Sequence, residues 1–564
     1  MKQITTAAYR FEPSIQAIRN CRKAKLLALW SVLLCAMGQL LIDASGVNVI
    51  CVFIVVAIST VTFHLVIKGS VFRALPLPAL MVLGFNVSTM SGALIAQTLS
   101  LRSLVYNLQV PLITFVLCAL FQISLLVALF IFLSSSNLRS KIRAINRRVF
   151  GRMGIMQAPS PVQLWMIGLI GSAAMLWSAS DMYGDTNQYG DVGAKFIAGM
   201  GYLAFAPFIV PILDKLYPSV RASSTMKASK WLLLGYMVLL LVIAMIRNSR
   251  GTFMMGITNL GIAAMLLMLL GQLSVTARLR RGLVISAVMV LMVAPIVADF
   301  STAMLVARGE RSDVSGAKLV TLTFAAFNDK LALERYRKAV AFTVGSGDYE
   351  ENYLANPFVA RFVNTKFFDN TLAYEDVRTG ARAAMLWAVT LDKISALLPT
   401  PVLGVLGIGI NKENLQFSMG DALYNAQMSS SLGGYKTGSP IGHGMGLMGF
   451  FVFIAVIPLF LLAFIAMQSL TLVVGSFVVI SPVILLQLMS VYGLAVSDSL
   501  LDPIGMMLRT LPQNILIYWM VFHATRWMSE FPQRKGRSAW TRGPVLTVRH
   551  VGTSDAAAVR RARL

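Results

Sequence analysis

Long apolar runs separated by short polar segments dominate the chain. A helix needs about 20 apolar residues to cross roughly 30 Å of hydrocarbon. Twelve runs approach that length: 25–42, 47–67, 75–97, 109–134, 162–179, 195–213, 231–247, 254–274, 282–303, 442–466, 468–488 and 511–528. They are continuously apolar rather than alternating, which favours helices over barrel strands. The pattern predicts an all-α polytopic integral membrane protein of about twelve transmembrane helices. Residues 1–303 carry helices 1–9, residues 304–441 form one large loop, residues 442–528 carry helices 10–12, and 529–564 form a basic tail. A further apolar stretch, 395–410, contains Pro399, Pro401 and several glycines, so it reads as a re-entrant or interfacial element. The polar start before Lys25, with no small-residue cleavage site after the first run, reads as a membrane span rather than a secretory leader.

Composition supports this class. Of 564 residues, 57% are hydrophobic and 13% charged, with a mean hydropathy of +0.71. So little charge cannot cover the surface of a soluble protein of this length. The net charge of +25 then finds its first explanation in loops beside an anionic membrane rather than in nucleic acid. Cys21, Cys35, Cys51 and Cys118 lack a metal-like spacing and leave the large loop without a disulfide framework.

Charge also sets the orientation. Arg22, Lys23 and Lys25 precede the first span; Arg139, Lys141, Arg143, Arg147, Arg148 and Arg152 follow the fourth. Lys215, Arg221, Lys227 and Lys230 follow the sixth, and Arg278, Arg280 and Arg281 the eighth. The tail from 525 holds nine basic residues against Glu530 and Asp555. With twelve spans these groups share one side, which the positive-inside rule makes cytoplasmic, together with both termini. The loops 180–194, 247–251 and 304–441 then lie outside. The last, at 138 residues, is too long for a passive connection and is expected to fold against the membrane domain.

Chemistry is therefore sought on the outer side. His443 is the one histidine of four placed there, in Gly438-Ser439-Pro440-Ile441-Gly442-His443-Gly444, where the large loop re-enters the membrane. It suits proton transfer or a diphosphate oxygen, or equally an ordinary interfacial histidine. Arg247 and Arg250 bracket a short outer turn and need a partner there. A diphosphate fits the guanidinium fork; Asp181, Asp185 or Asp191 of the neighbouring loop is the alternative. Arg308 and Arg311 open the large loop, so one cavity is expected to gather them with His443. Arg361, Arg378 and Arg382 are weaker candidates. Asp348, Glu350 and Glu351, then Asp369, then Glu375 and Asp376, lie among aromatics that suit a sugar or a folded loop core alike. Asp348 and Asp369 are the candidate bases. The sequence has no phosphate-binding P-loop, dinucleotide fingerprint, HExxH or GxSxG with a histidine partner. Ionisable groups deep within the spans are scarce, which disfavours an ion-coupled transporter.

The span count, the late outer loop, Arg247–Gly251 between two spans and His443 at the loop junction resemble the bacterial oligosaccharide repeat-unit polymerases of the Wzy type, within the group that includes the O-antigen ligases. The ligases commonly have asparagine after the histidine; this chain has His443-Gly444. The resemblance implies a GT-C-like glycosyltransferase architecture in the bacterial inner membrane. It implies metal-independent polymerisation of undecaprenyl-diphosphate-linked oligosaccharide repeat units into O-antigen, capsule or exopolysaccharide, with no cofactor. Arg247, Arg250, Arg308 and Arg311 would hold the diphosphate, Arg250 also serving the chemistry. His443 would orient the diphosphate or assist deprotonation of the acceptor, with an acid of the large loop, Asp348 or Asp369, completing the base. Implied partners are the lipid-linked oligosaccharide, membrane lipids, and a chain-length regulator and flippase of the same pathway, but not nucleic acid. Transfer to a lipid A core or protein is the alternative enzyme reading, and a lipid-linked oligosaccharide flippase or transporter the alternative class.

Overall fold

The computed structural model describes residues 13–180, 192–217, 230–247, 249–274, 276–310, 314, 316–342, 351, 353–354, 363–373, 381–398, 400–428, 431–474 and 477–534. Apart from one two-stranded hairpin, the regular structure among these residues is helical. Among the described residues, eight helices are long and apolar enough to cross a membrane: Ile15–Ile42, Gly46–Val66, Pro76–Leu99, Pro111–Ser134, Pro161–Ser178, Lys195–Leu216, Gly251–Leu269 and Pro440–Gln468. Their outward faces carry large apolar side chains such as Leu27, Phe53 and Ile454, about two-thirds exposed or more, as expected where lipid replaces water as solvent.

The remaining four expected spans are not among these eight. Lys230–Ile246 has only 17 residues. The region 282–303 lies within the continuous 31-residue helix Ala277–Ala307, which has Pro295 in its interior and whose side chains over much of 283–294 lie outside the described part of the structure. The region 511–528 is inside the helix Leu511–Arg534, diluted by Gln513, Asn514, His523 and Arg526.

The fourth departure is a correction: 468–488 is not a helix. Thr471–Val474 and Phe477–Ile480 form an antiparallel hairpin instead. Thr471, Val473, Val474, Val478, Val479 and Ile480 are β-branched and suit a strand. The hairpin sits at the far end of Pro440–Gln468 from His443. Several loops meet it there: Asn146 donates to Thr471 O (2.6 Å), Tyr217 to Ile480 O (2.6 Å), Gln272 to Val478 O (3.1 Å) and Ser481 to Ile155 O (3.0 Å). The loops after the fourth, sixth and eighth expected spans therefore share one end of the bundle, as their basic residues require.

Between the hairpin and the opposite end, the chain returns as a broken segment. Pro482–Leu485 and Leu488–Gly493 are separate helical turns, followed by a 3-10 turn Leu494–Val496. Irregular backbone survives at membrane depth only inside protein, and Val483, Ile484, Leu488, Val491 and Ala495 are fully enclosed. Buried amides complete the interrupted hydrogen bonding. Asn259 donates to Leu486 O and accepts from Met489 N, each at 2.8 Å, while Asn514 donates to Gln487 Oε1 at 2.6 Å.

This segment packs on Pro76–Leu99, whose middle, Val87–Ser91, is a π-turn. A Cβ added at Gly84 would collide with the carbonyl oxygen of Tyr492, so only glycine permits this approach. Gly84→Ala is expected to cost about 1–3 kcal/mol, as overpacking does, read as lowered thermal stability of the purified protein in detergent.

Among the described residues of 395–410 are the end of Ala381–Ala396 and the short helix Thr400–Val405, too short to cross. Val405 is 89% exposed and Leu406 57%.

Candidate functional site

The end of the bundle opposite the hairpin is closed by a polar cap. It consists of Thr365–Leu372, Ala381–Ala396, Met419–Met428 and Leu501–Gly505, packed around the start of Pro440–Met448. Ser439 and Pro440 begin that last helix as an ordinary N-cap and first-turn proline: Ser439 Oγ accepts from Gly442 N at 2.9 Å. Thr371 Oγ1 meets Ser439 Oγ at 2.6 Å. The described part of 363–441 packs against the apolar bundle here.

His443 lies one helical turn inside the cap and is fully buried. Its Nδ1 accepts from Leu500 N at 3.3 Å, which places the ring proton on Nε2. Nε2 then donates to Thr390 Oγ1 at 3.0 Å, and Thr390 Oγ1 donates to Leu386 O at 2.6 Å. The neutral imidazole is thus fully engaged in joining three elements, Pro440–Met448, Ala381–Ala396 and the turn before Leu501–Gly505.

Two aspartates pin the loop 418–438. Asp421, fully buried, accepts from Ser418 N (3.3 Å), Gly433 N (3.2 Å), Tyr435 N (2.9 Å) and Lys436 N (2.9 Å). Asp498 accepts from Met419 N at 2.8 Å and from Gly438 N. Asp502 accepts from Ser499 N at 2.8 Å. Burial lifts the Asp498 and Asp502 carboxyls above the usual range, against the pull of these backbone donors, and Asp502 adds to the rise at Asp498. Lys393 faces this acidic group, donates to Leu415 O (3.1 Å) and Phe417 O (2.6 Å), and lies 4.3 Å from the Phe417 ring centre. Burial lowers its pKa, while Asp498, Asp421 and Asp502 hold it up.

Sequence reasoning did not single out Asp421, Asp498, Asp502 or Lys393. The available signal was their surroundings: Ser497-Asp498-Ser499 and Asp502-Pro503 place short acids among turn and helix-start residues.

Asp369, expected as a base, has another occupation. It is fully buried and accepts from Gln109 N (2.8 Å), Val110 N (2.9 Å), Thr114 Oγ1 (3.3 Å) and Lys366 Nζ (3.3 Å). It closes the N-terminus of Pro111–Ser134 and pairs with Lys366. With its oxygens so committed, it anchors the cap to the bundle.

The expected cations are placed differently from His443. Arg247 follows Lys230–Ile246 and is half-buried; Arg308 is exposed at the end of Ala277–Ala307. Both helices pack on Gly316–Asn328, whereas His443 packs among the cap helices. The expectation of one cavity gathering Arg247, Arg308 and His443 is not met by these contacts. Arg250 begins the helix Arg250–Leu269, and its side chain lies outside the described part of the structure. Arg311 and Asp348 lie outside the described residues, as do Asp181, Asp185, Asp191, Arg361, Arg378, Glu350, Glu375 and Asp376. Arg382 and Glu351 are exposed. Among the described residues no group of three His, Cys, Asp or Glu side chains is arranged to hold a metal ion.

Compared with protein-family models, curated proteins and solved structures, the chain matches none.

Proposed function

We propose that this membrane protein extends a glycan at the membrane face bearing the cap, using an undecaprenyl-diphosphate-linked oligosaccharide as donor. The observation that carries the reading is the cap itself. A folded polar layer is joined to an apolar bundle at the end that the charge rule makes external, where a lipid-linked sugar would sit with its tail in the bilayer. The family resemblance supplies the reaction class.

In this reading an acceptor hydroxyl oxygen attacks the anomeric carbon, and the bond from that carbon to the diphosphate breaks. The diphosphate leaves with the electron pair, and the hydroxyl proton passes to a carboxylate, for which Asp348 is the remaining candidate. Negative charge grows on the leaving group, so fixed cations stabilise the transition state more than the ground state. Arg247, Arg250, Arg308 and Arg311 are proposed for that role. His443 is assigned a positioning role, holding the cap on the re-entering helix.

Incubating the purified protein with one defined lipid-linked repeat unit tests the reading. Ladders of longer lipid-linked product support polymerisation; transfer only to a lipid A core or protein acceptor supports the ligase alternative. A flippase is the second reading, favoured by the broken segment 482–496 and its buried amides, since discontinuous spans recur at transporter sites. Movement of the lipid-linked glycan across vesicles with no new glycosidic bond would establish it and sink the enzyme proposal. Arg247→Ala and Arg250→Ala are each expected to lower product formation by about 10²-fold at unchanged membrane insertion. His443→Ala is expected to lower product together with thermal stability. Normal rate and chain length in all three variants would remove this site.

A further inference from the structure

At the hairpin end of the bundle, a helical arm turns off directly from a span. Pro111–Ser134 ends, Ser135 bridges, and Ser136–Arg148 begins. With Val149 still in helical backbone, the short helix Phe150–Met153 continues it. One side of this arm is fixed to the protein. Ile142 and Asn146, one turn apart, are 5% and 1% exposed, and Asn146 donates to Thr471 O of the hairpin at 2.6 Å.

A different side faces outward. Lys141, Ile145, Arg148, Val149 and Arg152 recur at the helical spacing i, i+4, i+7, i+8 and i+11, and all five are exposed. Ile145 is 55% exposed and Val149 46%. One stripe therefore interleaves three cations with two branched apolar side chains. Such a stripe suits a headgroup layer, where apolar groups enter the acyl boundary and long basic side chains reach phosphate. Residues 135–160 hold six basic side chains and no acid, so a single carboxylate from another element would leave most of the excess.

Depth is set at both ends of the arm. It starts one residue beyond a helix long and apolar enough to cross a membrane. At its other end Met153 O accepts from His523 Nε2 at 3.1 Å, and Gln157 Oε1 accepts from Arg526 Nη1 at 2.9 Å. His523 and Arg526 belong to Leu511–Arg534, whose Trp527 is 60% exposed beside them. An exposed tryptophan near the end of a span marks the headgroup level. With both ends at that level, the arm lies along the membrane surface instead of leaving it.

We propose that Lys141, Ile145, Arg148, Val149 and Arg152 bind anionic phospholipid in the leaflet at the hairpin end. The cations take the phosphates, and the two apolar side chains lie among the upper acyl carbons. This inference concerns the end remote from the cap and stands whichever reaction the cap serves.

The test uses the full-length protein in phosphatidylcholine nanodiscs with and without phosphatidylglycerol, lipid retention being read by native mass spectrometry. The triple variant Lys141→Gln, Arg148→Gln and Arg152→Gln is expected to retain phosphatidylglycerol about 10²-fold more weakly, on the basis of roughly one membrane-surface increment per cation. Ile145→Ser with Val149→Ser keeps every charge and is expected to weaken retention about fivefold, because binding scales with buried apolar area. The charge-conserving triple variant, Lys141→Arg, Arg148→Lys and Arg152→Lys, should retain the lipid, and unchanged thermal unfolding shows that each variant is folded. Lys330→Gln, Arg335→Gln and Lys338→Gln together remove equal charge from exposed positions on the helix Lys330–Phe342 and should leave retention unchanged. Undiminished retention by the folded Lys141, Arg148 and Arg152 variant overturns the proposal, as does an equal loss in the Lys330, Arg335 and Lys338 variant. Full retention by the serine double variant also overturns it, leaving a soluble polyanion as the ligand of the cations.

Discussion

Asp369→Ala is expected to destabilise the protein by about 3–5 kcal/mol, the usual consequence of breaking a buried ion pair from one side. Lys366 and Asp369 have side chains only 2% and 0% exposed. The substitution leaves the Lys366 ammonium donating to Asn107 O, at 2.5 Å, with no carboxylate to pair it. It also strips the acceptor from Gln109 N, Val110 N and Thr114 Oγ1 at the head of Pro111–Ser134. Buried donors left without partners each carry a penalty of about 1–3 kcal/mol. Thermal unfolding in detergent and limited proteolysis of the cap should both register the loss. Replacing the pair together, as Lys366→Met with Asp369→Leu, is expected to recover part of it, because no lone buried charge remains. Recovery should be incomplete, since the backbone donors at 109 and 110 stay unsatisfied. An Asp369→Ala protein of normal stability but no product would return this carboxylate to the role of base.

The second large effect is expected at Asp421. Four backbone N–H groups, from Ser418, Gly433, Tyr435 and Lys436, converge on one fully buried carboxylate. Asp421→Ala removes every one of these acceptors. Three of the donors lie on a single returning strand of loop, so the consequence is local. The segment 431–438 should lose its fixed path at a cost of about 2–4 kcal/mol, allowing for partial access of water to the released donors. Hydrogen exchange should speed at 433, 435 and 436 while Pro111–Ser134 keeps its protection. Asp421→Asn should be milder, because its carbonyl oxygen can still accept two of the four bonds. Protection unchanged at all three amides would show that the carboxylate is not what holds the loop.

Both predictions concern acids whose roles depend on neighbours remote in the chain. In sequence, Asp369 among Phe367, Phe368 and Asn370 suits a sugar-facing base or a folded loop core alike. Those rings are as useful to a folded core, and Phe368 packs edge-on against Phe85 at 5.8 Å between centres. The partners that decide its role, 107–114, lie about 260 residues earlier. His443 was singled out for its position on the outer side, and the structure places it at the loop junction as expected. Its two ring nitrogens are satisfied by Thr390 and Leu500, partners that adjacent sequence does not reveal. The stretch 468–488 misled for a different reason. Periodicity cannot distinguish a short apolar strand from buried helix, and the enclosed segment after the hairpin has its backbone completed by Asn259, 227 residues from Leu486.

Apolar run length and the spacing of basic loops sufficed to read a multi-pass membrane protein and to group those loops at one end of the bundle. Those properties follow from transfer free energies summed over single segments, and each segment carries its own signal. Which charged groups hold the fold was settled by packing in three dimensions. The burial of Lys366 beside Asp369, and the hydrogen bonds that Asp369 accepts from Gln109 N and Val110 N, are properties of pairs remote in the chain, and such pairs carry no signal within a single segment.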